Sequence, residues 1–181
     1  MSPSFRRPKT ADMTHIALFA VLLAVCGWIS IPLPPIPFTL QTFGVFAAML
    51  FLGGRRSLLA VGVYLLLGAV GLPVFSGFRG GVGVLLEATG GYLLGFLLCT
   101  LVYWLVTSRF GLSTASRLAG CLLGLLACYA FGTLWYLQLY VDGAADPLPV
   151  LAACVLPFVI PDLIKLGLAV LLQRRLGRYL K

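Results

Sequence analysis

The chain has 181 residues, of which 61% are hydrophobic and only 10% are charged, and its mean hydropathy is +1.06. A soluble domain carries about 25% charged residues and could not bury so much apolar surface, so the composition excludes a soluble protein. The net charge is +8, but the basic residues lie between hydrophobic runs rather than along one polar face, which argues against nucleic-acid binding. The sequence therefore predicts one integral membrane domain over residues 1–181.

Six hydrophobic runs follow a basic tail at about residues 1–14. We predict membrane spans at about residues 15–31, 38–52, 57–72, 91–107, 117–141 and 148–172. A helix needs about 20 residues to cross the hydrocarbon core, so the second and third runs are short, and five spans remain an alternative to six. The predicted fold is all-α: a six-helix transmembrane bundle whose outward-facing loops cap a ligand pocket.

Two connections on the predicted outer side differ from ordinary short loops. Residues 31–42 are rich in proline and cannot be helical throughout, and Gln41 near their end offers an uncharged donor and acceptor. Residues 71–92 are dense in glycine and carry Arg79 and Glu87. Loops of this length in a compact protein usually bind or cover a ligand, so both charged residues are candidate site residues. Their alternative role is a solvated ion pair.

The distribution of basic residues predicts the orientation in the membrane. If the N-terminus is cytoplasmic, 11 of the 13 Lys and Arg residues fall in cytoplasmic segments, one falls outside and Lys165 lies within a span. Cytoplasmic loops carry an excess of Lys and Arg. The connection before the last span holds Asp142 and Asp146 and no basic residue. We therefore predict a multi-pass protein of the plasma (inner) membrane with both termini in the cytoplasm.

Asp162 and Lys165 lie within one of the most apolar stretches of the chain, residues 155–170. An ionised side chain at the centre of a membrane helix costs about 2.5–3.5 kcal/mol on insertion scales, so such groups must pair, face water or hold a polar ligand. Pro161 is predicted in the first turn of the last helix, which would place Asp162 near the positive helix end. Lys165 follows on the same helical face. We predict a ligand-binding pair; the alternative is an ion pair that only fixes helix packing.

The residue patterns that hydrolases, metalloenzymes and ATPases commonly use are missing from the sequence. His15 is the single histidine, and the five cysteines lack the spacing of metal ligands, so we predict neither a metal site nor a cofactor. The cysteines are best explained as small buried hydrophobic residues. No Gly-Lys pair occurs, which excludes the phosphate-binding loop of ATPases. We predict that the protein is not an enzyme and that uphill transport would need a partner or an ion gradient.

Small residues are spaced for close contacts between helices. Gly91 and Gly95 form one G-x-x-x-G pattern, and Gly120 and Gly124 form another, which favours packing within the chain. A stripe of small side chains on the first span could equally receive a partner subunit; it consists of Ala17, Ala20 and Ala24.

Four longer motifs occur in order along the chain. They are Pro-Leu-Pro-Pro-Ile-Pro-Phe-Thr-Leu-Gln-Thr at 32–42, Leu-Leu-Leu-Gly-Ala-Val-Gly-Leu-Pro-Val-Phe at 65–75, Thr-Gly-Gly-Tyr-Leu-Leu-Gly-Phe at 89–96 and Leu-Pro-Phe-Val-Ile-Pro-Asp-Leu-Ile-Lys at 156–165. With them the chain resembles the BioY family, the biotin-binding S components of energy-coupling-factor vitamin transporters. The resemblance implies a six-helix bundle that captures biotin from outside. It also implies two kinds of partner, a transmembrane T component and two ATPase subunits that supply the energy.

The resemblance also implies roles for individual residues. Asp162 and Lys165 match the family's polar pair on the last helix, which contacts the ligand. The other implied positions beside the site are Thr39, Gln41, Thr89, Gly90, Gly91 and Tyr92. Ala20 and Ala24 match the alanine motif with which S components meet the T component. The chain departs from the family in having Glu87-Ala88 where Gly-Pro is usual, which adds a carboxylate near the implied site.

These side chains suit biotin chemically. Its ureido group offers two N–H donors and a carbonyl acceptor, so Asp162 can accept from the ring, and Lys165 can donate to the ureido carbonyl or to the ligand carboxylate. The apolar ring and chain suit Phe38, Phe75 and Tyr92. Our hypothesis is that Asp162 holds the ureido ring. Two alternatives remain at this point, a membrane scaffold in which the pair only pins helices and a carrier of biotin or a related vitamin that works without partners.

Overall fold

The computed structural model describes residues 10–33, 36–140 and 147–176. The α-helices of these residues are α1 (Thr10–Trp28), α2 (Gln41–Leu52), α3 (Gly54–Ala69), α4 (Val82–Leu86), α5 (Gly90–Phe110), α6 (Thr114–Tyr140), α7 (Pro147–Cys154) and α8 (Leu156–Leu176). Two short strands, β1 (Ser30–Ile31) and β2 (Phe38–Thr39), and a 3-10 turn at Ser76–Phe78 accompany them. The all-α fold class predicted from the sequence is confirmed.

Some predicted features lie outside the described residues. They are the first nine residues of the basic tail, the end of the fifth predicted span at Val141, the acidic Asp142 and Asp146, and the basic Arg178 and Lys181.

Four helical stretches of the described residues are long and apolar enough to cross a membrane: Thr10–Trp28, Gly90–Phe110, Thr114–Leu139 and Leu148–Leu176. The second and third predicted spans are shorter helices, as the sequence indicated. α2 has 12 residues and α3 has 16, which correspond to about 18 Å and 24 Å of helix against a hydrocarbon core of about 30 Å. Both pack on α1, and α2 also packs on α8 while α3 packs on α5.

A single residue, Gly53, separates α2 from α3. Its φ of 78° lies in the left-handed region that favours glycine, and its N–H lies 3.1 Å from a carbonyl of α2. Arg117 of α6 donates to the Leu50 carbonyl, one of those that a helix end leaves without an intrahelical partner. The tight turn lets α3 begin earlier than the predicted Ser57.

The proline-rich connection after α1 folds back as a short β-pair. Strands β1 and β2 are antiparallel, with Ser30 opposite Thr39 and Ile31 opposite Phe38. Prolines lack the N–H and hold the preceding residue extended, so the connection is not helical, as predicted. The strand pairing itself was not predicted. It places Thr39 two residues before the start of α2 at Gln41.

The last predicted span, at 148–172, is divided into α7 and α8 at Val155. Pro157 lies in the first turn of α8 and has no N–H to donate back towards α7. The prediction that Pro161 lies in the first turn is wrong, because it lies inside the helix that begins at Leu156.

Asp162 consequently lies in the second turn of α8 rather than at its positive end. The N-terminal partial charge of the helix therefore contributes little to this carboxylate, because the effect falls off within the first turn. The spacing of three residues still brings Asp162 and Lys165 to one face, and both are buried.

Helices α5 and α6 pack closely, and their glycines explain why. A Cβ added at Gly124 would lie 2.5 Å from the Cys99 carbonyl oxygen, and one at Gly95 would lie 2.9 Å from Cys128 Sγ. Neither position has room for a side chain, so both G-x-x-x-G patterns contribute to packing within the chain, as predicted. The five cysteines are unpaired and buried, in agreement with their predicted role as small hydrophobic residues.

Candidate ligand-binding site

A cavity of about 560 Å³ lies between the starts of α2 and α5, the loop after α3, and helices α6, α7 and α8. This volume falls within the range of about 300–1,000 Å³ that is typical of small-molecule sites. Nine predicted site residues line it: Thr39, Gln41, Phe75, Arg79, Glu87, Thr89, Tyr92, Asp162 and Lys165. Most of the remaining wall is apolar and includes Ile36, Val84, Leu93, Phe96 and Phe158.

Asp162 is 2% exposed and forms part of the cavity wall. Its Oδ1 accepts hydrogen bonds from Thr42 Oγ1 at 2.8 Å and from Lys165 Nζ at 2.7 Å, and its Oδ2 accepts one from the Tyr129 hydroxyl at 2.6 Å. A carboxylate offers about four lone-pair positions, so three partners leave one open. The buried charge is well compensated, and one acceptor position remains for a donor in the cavity.

Lys165 is 5% exposed and engages all three of its N–H donors. They reach Asp162 Oδ1 at 2.7 Å, the Thr39 carbonyl oxygen at 2.7 Å and Thr42 Oγ1 at 3.0 Å. The ammonium also lies 4.2 Å from the centroid of the Phe38 ring, a cation–π contact. Direct binding of a ligand by Lys165 would therefore require one of these hydrogen bonds to be exchanged.

Gln41 belongs to a second buried network at the start of α2. Its Nε2 donates to the Tyr64 hydroxyl at 2.5 Å, and that hydroxyl donates to the Val74 carbonyl at 3.3 Å. Its Oε1 accepts from Thr39 Oγ1 at 3.0 Å. One amide thus ties α2 to α3 and to the loop after α3. An amide nitrogen carries two protons, so Gln41 can offer the second one to the cavity.

Arg79 and Glu87 form an ion pair at the exposed rim of the cavity. Their side chains are 51% and 42% exposed, in contrast to the buried pair on α8. The hydrogen bond from Arg79 to Glu87 raises the pKa of Arg79. The Glu87 carbonyl accepts from Trp135 Nε1 at 3.1 Å, and the Arg79 carbonyl accepts from the Phe75 N–H at 2.9 Å. Both backbones are therefore anchored, while the charged side chains remain half exposed.

Phe75 supplies a rigid apolar part of the wall. It is 1% exposed, and its ring stands edge-on to Tyr64 at 84° with the centroids 5.6 Å apart. A Cβ added at Gly68 would lie 2.0 Å from the Phe75 ring, so only glycine fits beside it. Tyr92 also lines the cavity, and its hydroxyl lies 3.2 Å from Thr133 Oγ1.

Phe38, Gly90 and Gly91 were predicted at the site but do not line the cavity. Phe38 packs behind Lys165, where it provides the cation–π contact. A Cβ added at Gly90 would lie 1.9 Å from the Leu85 carbonyl oxygen, and one at Gly91 would lie 2.3 Å from the Trp135 Cβ. These two glycines therefore let α5 approach α4 and α6, and they support the cavity from behind.

Ala20 and Ala24 were predicted to meet a partner subunit, but the structure covers them within the chain. They are 2% and 6% exposed and belong to the hydrophobic core. Small side chains on α1 allow α2 and α3 to pack closely against it, and contact of Ala20 and Ala24 with a partner subunit stays a prediction. The exposed flank of α1 carries Ala17 of the predicted stripe together with larger apolar residues, among them Leu18, Val21 and Val25.

Thr42 and Tyr129 were not predicted, although both hold Asp162 in place. Thr42 ends the proline-rich motif and lies three residues after Thr39, a spacing that could have indicated it. A tyrosine hydroxyl within an apolar span needs a buried partner, which is the one signal that pointed to Tyr129. Its distance of 33 residues from Asp162 in the sequence gave no indication which partner that is.

The fold and the cavity define a class of protein: a multi-pass helical membrane protein with a mainly apolar cavity and a buried ion pair in its wall. The chain belongs to the BioY family, whose sequence model matches residues 1–181.

Relatives and solved structures agree with this family. The chain is 46% identical over 167 residues to the biotin transporter BioY of Thermotoga maritima, covering 92% of this chain and 96% of the relative. It is 36% identical over 168 residues to the probable biotin transporter BioY of Pyrococcus horikoshii, covering 93% and 97%.

A crystal structure of the S-component for biotin from an ECF-type ABC transporter superposes with a TM-score of 0.81 at 28% identity, over 92% of this chain and 90% of that one. A second S component of a bacterial ECF transporter superposes with a TM-score of 0.61 at 15% identity, over 94% and 97%, and shows the shared fold alone.

Proposed function

We propose that this chain is the biotin-binding S component of an energy-coupling-factor transporter and that it captures biotin from outside for uptake. The observation that carries the proposal is the cavity beside the buried Asp162–Lys165 pair, in a chain 46% identical to a biotin transporter. A pair that only fixed helix packing would need no cavity. The chain is thus a transport subunit rather than an enzyme, and biotin is its ligand rather than a cofactor.

The two ion pairs beside the cavity support one proposed orientation of biotin. Removing one partner from a buried ion pair costs about 3–5 kcal/mol, whereas an exposed pair contributes about 0.2–1 kcal/mol. Half-exposed Arg79 can therefore bind the ligand carboxylate with a smaller loss of ion-pair free energy than Lys165 can. A ureido N–H then donates to the open acceptor position of Asp162. In this orientation the ureido ring lies deep and the carboxylate lies at the rim.

In the proposed membrane arrangement the bundle has six spans, formed by α1, α2, α3, α5, α6 and the α7–α8 pair. The short α2 is mostly buried among longer helices, which supports counting it with the bundle. Both termini lie in the cytoplasm, and the rim of the cavity faces outward. The positions of 11 of the 13 basic residues support this orientation in the plasma membrane.

The proposed partners are a transmembrane T component and two ATPase subunits. The sequence has no phosphate-binding loop, so ATP would be used by the partners alone. Uptake of labelled biotin into liposomes should require all of these subunits. Concentrative uptake by the chain alone would instead support the carrier alternative.

The central experiment is a titration of the purified protein with labelled biotin, with other B vitamins as competitors. Unlabelled biotin should compete, and unrelated vitamins should not. Asp162→Asn should weaken binding at least about tenfold, because a charged acceptor is replaced by a neutral amide. Asp12→Asn is the matched control. Asp12 Oδ1 forms an ion pair with Arg56 at 3.0 Å, and neither residue lines the cavity. Unchanged affinity in a folded Asp162→Asn protein would refute the assigned role of Asp162.

One observation favours the scaffold alternative: the network around Asp162 and Lys165 is almost complete without a ligand. Exchanging the two charges, with Asp162→Lys and Lys165→Asp together, separates the possibilities. A scaffold should still fold and has no biotin affinity to lose. A binding subunit that remains folded should lose biotin binding.

A further inference from the structure

Four charged side chains line the cavity among the described residues: Arg79, Glu87, Asp162 and Lys165. Their formal charges cancel, as two ion pairs. A ligand that carries one negative charge therefore meets no unpaired cation on this part of the wall. It must share a cation with a carboxylate of the protein or displace that carboxylate.

The two pairs differ in how readily they can give up their cation. Lys165 is 5% exposed and is held by three oxygen acceptors within 3.0 Å. Arg79 is half exposed, and Glu87 Oε1 is its side-chain hydrogen-bond partner. A guanidinium has five N–H donors in a planar fork, so Arg79 can rotate towards a new carboxylate. An anionic ligand group will therefore compete with Glu87 for Arg79 rather than with Asp162 for Lys165.

We propose that Glu87 is a specificity-determining residue that competes with the ligand carboxylate for Arg79. The inference rests on the proposed function and adds a built-in competitor to the same site. A ligand with a neutral end, such as biotinamide, has no need to open the Arg79–Glu87 pair. The Arg79–Glu87 pair therefore reduces the difference in binding affinity between biotin and biotinamide.

The backbone anchors make this exchange an event of side chains alone. The Glu87 carbonyl is held by Trp135 Nε1 at 3.1 Å and by the Gly90 N–H at 2.9 Å. The Arg79 carbonyl is held by the Phe75 N–H at 2.9 Å. The carboxylate of Glu87 can thus leave Arg79 while both backbones keep their hydrogen bonds.

The test measures the ratio of the dissociation constants of biotinamide and biotin at low salt in four proteins: wild type, Glu87→Gln, Arg79→Gln and the double variant. Glu87→Gln should raise this ratio about 1.4- to fivefold, the range expected for the loss of a competing exposed charge. Arg79→Gln should lower the ratio below the wild-type value, because unpaired Glu87 then repels the carboxylate. In the double variant the ratio should approach one. High salt should reduce the preference of Glu87→Gln for the acid.

Control measurements separate the possible failures. Asp12→Asn removes a carboxylate from an ion pair away from the cavity and should keep the wild-type ratio. If both ligands bind the wild type but Glu87→Gln leaves the ratio unchanged, the competition is refuted and the proposed function stands. If neither ligand binds the folded wild type, the proposed function and this inference both fail. Thermal unfolding of each variant in detergent identifies proteins that have lost their fold.

Discussion

Thr42 Oγ1 lies 2.8 Å from Asp162 Oδ1 and 3.0 Å from Lys165 Nζ, so one hydroxyl of α2 donates to the acid of α8 and accepts from its base. The Thr42 hydroxyl stabilises both charged groups, because each of them would lose a hydrogen bond without it. The buried pair therefore depends on two helices: α8 provides both charges, and α2 provides the hydroxyl that bonds to each of them.

Replacing Thr42 by valine removes this hydroxyl and keeps the shape of the side chain. We expect Thr42→Val to lower the free energy of unfolding by about 1–3 kcal/mol, since both buried charges lose a partner. Biotin affinity should fall as Asp162 and Lys165 rearrange. Thermal unfolding in detergent and titration calorimetry measure the two effects.

Thr100→Val is the matched control for this substitution. Thr100 is fully buried whereas Thr42 is partly buried, and the Thr100 hydroxyl donates at 3.1 Å and 3.0 Å to carbonyls of its own helix. Those carbonyls belong to the interior of α5, so its loss should cost clearly less than the loss of the Thr42 hydroxyl. Equal losses for both variants would contradict the special role of Thr42.

The coupling between Asp162 and Lys165 can be measured by a double-mutant cycle. Asp162→Asn and Lys165→Met should each cost about 3–5 kcal/mol of unfolding free energy, because each leaves an uncompensated buried charge. The double variant leaves none, so its cost should fall below the sum by about 1–3 kcal/mol. Additive costs would show that the two groups do not compensate each other.

Gly68→Ala tests the packing behind the cavity wall. The added methyl group would meet the Phe75 ring at 2.0 Å, so the ring must move and we expect a loss of about 1–3 kcal/mol of stability together with weaker biotin binding. Gly62→Ala in the same helix is the control, since nothing lies within 4 Å of its Cβ. It should be neutral or stabilise α3 by about 0.5–1 kcal/mol. A tolerated Gly68→Ala with unchanged affinity would contradict the rigid wall.

Gly124→Ala tests the contact between α5 and α6. Its Cβ would lie 2.5 Å from a backbone oxygen of Cys99, which cannot rotate away, so the helices must separate and the melting temperature in detergent should fall. Gly167→Ala on α8, with nothing within 4 Å, should leave the melting temperature unchanged or higher. Similar melting temperatures for the two variants would argue against close packing at this point.

The sequence predicted the membrane class, the helical fold and nine of the residues that line the cavity. Charged residues in apolar stretches, and glycine- and proline-rich connections between spans, are strong local signals because lipid tolerates neither unpaired charge nor exposed backbone. Asp162, Lys165 and Arg79 were identified in this way, or through motifs that contain them.

Features that depend on contacts between distant segments could not be predicted from local patterns. Tyr129 reaches Asp162 only because α6 and α8 meet at that point. The spacing of Ala20 and Ala24 is the same whether they face a neighbouring helix of the chain or a partner subunit. In the structure both are buried within the chain. Because the chain breaks at Val155, α8 begins about one turn before the predicted start, and Pro161 lies inside the helix. No spacing rule determines the position of this break.

The 120 residues that separate Thr42 from Asp162 also have a consequence for biosynthesis. Membrane helices enter the bilayer in order of translation, so the carboxylate and ammonium of α8 arrive after α2 and α6 are already in place. Hydrogen-bonding groups for the two charges are therefore already present when α8 arrives. They are the hydroxyls of Thr42 and Tyr129 and the carbonyl of Thr39, and they compensate charges that would be unfavourable in lipid alone. Because Phe158, Asp162 and Lys165 of α8 line the cavity, a chain that stops before α8 lacks one wall of the pocket and both charges of the buried pair.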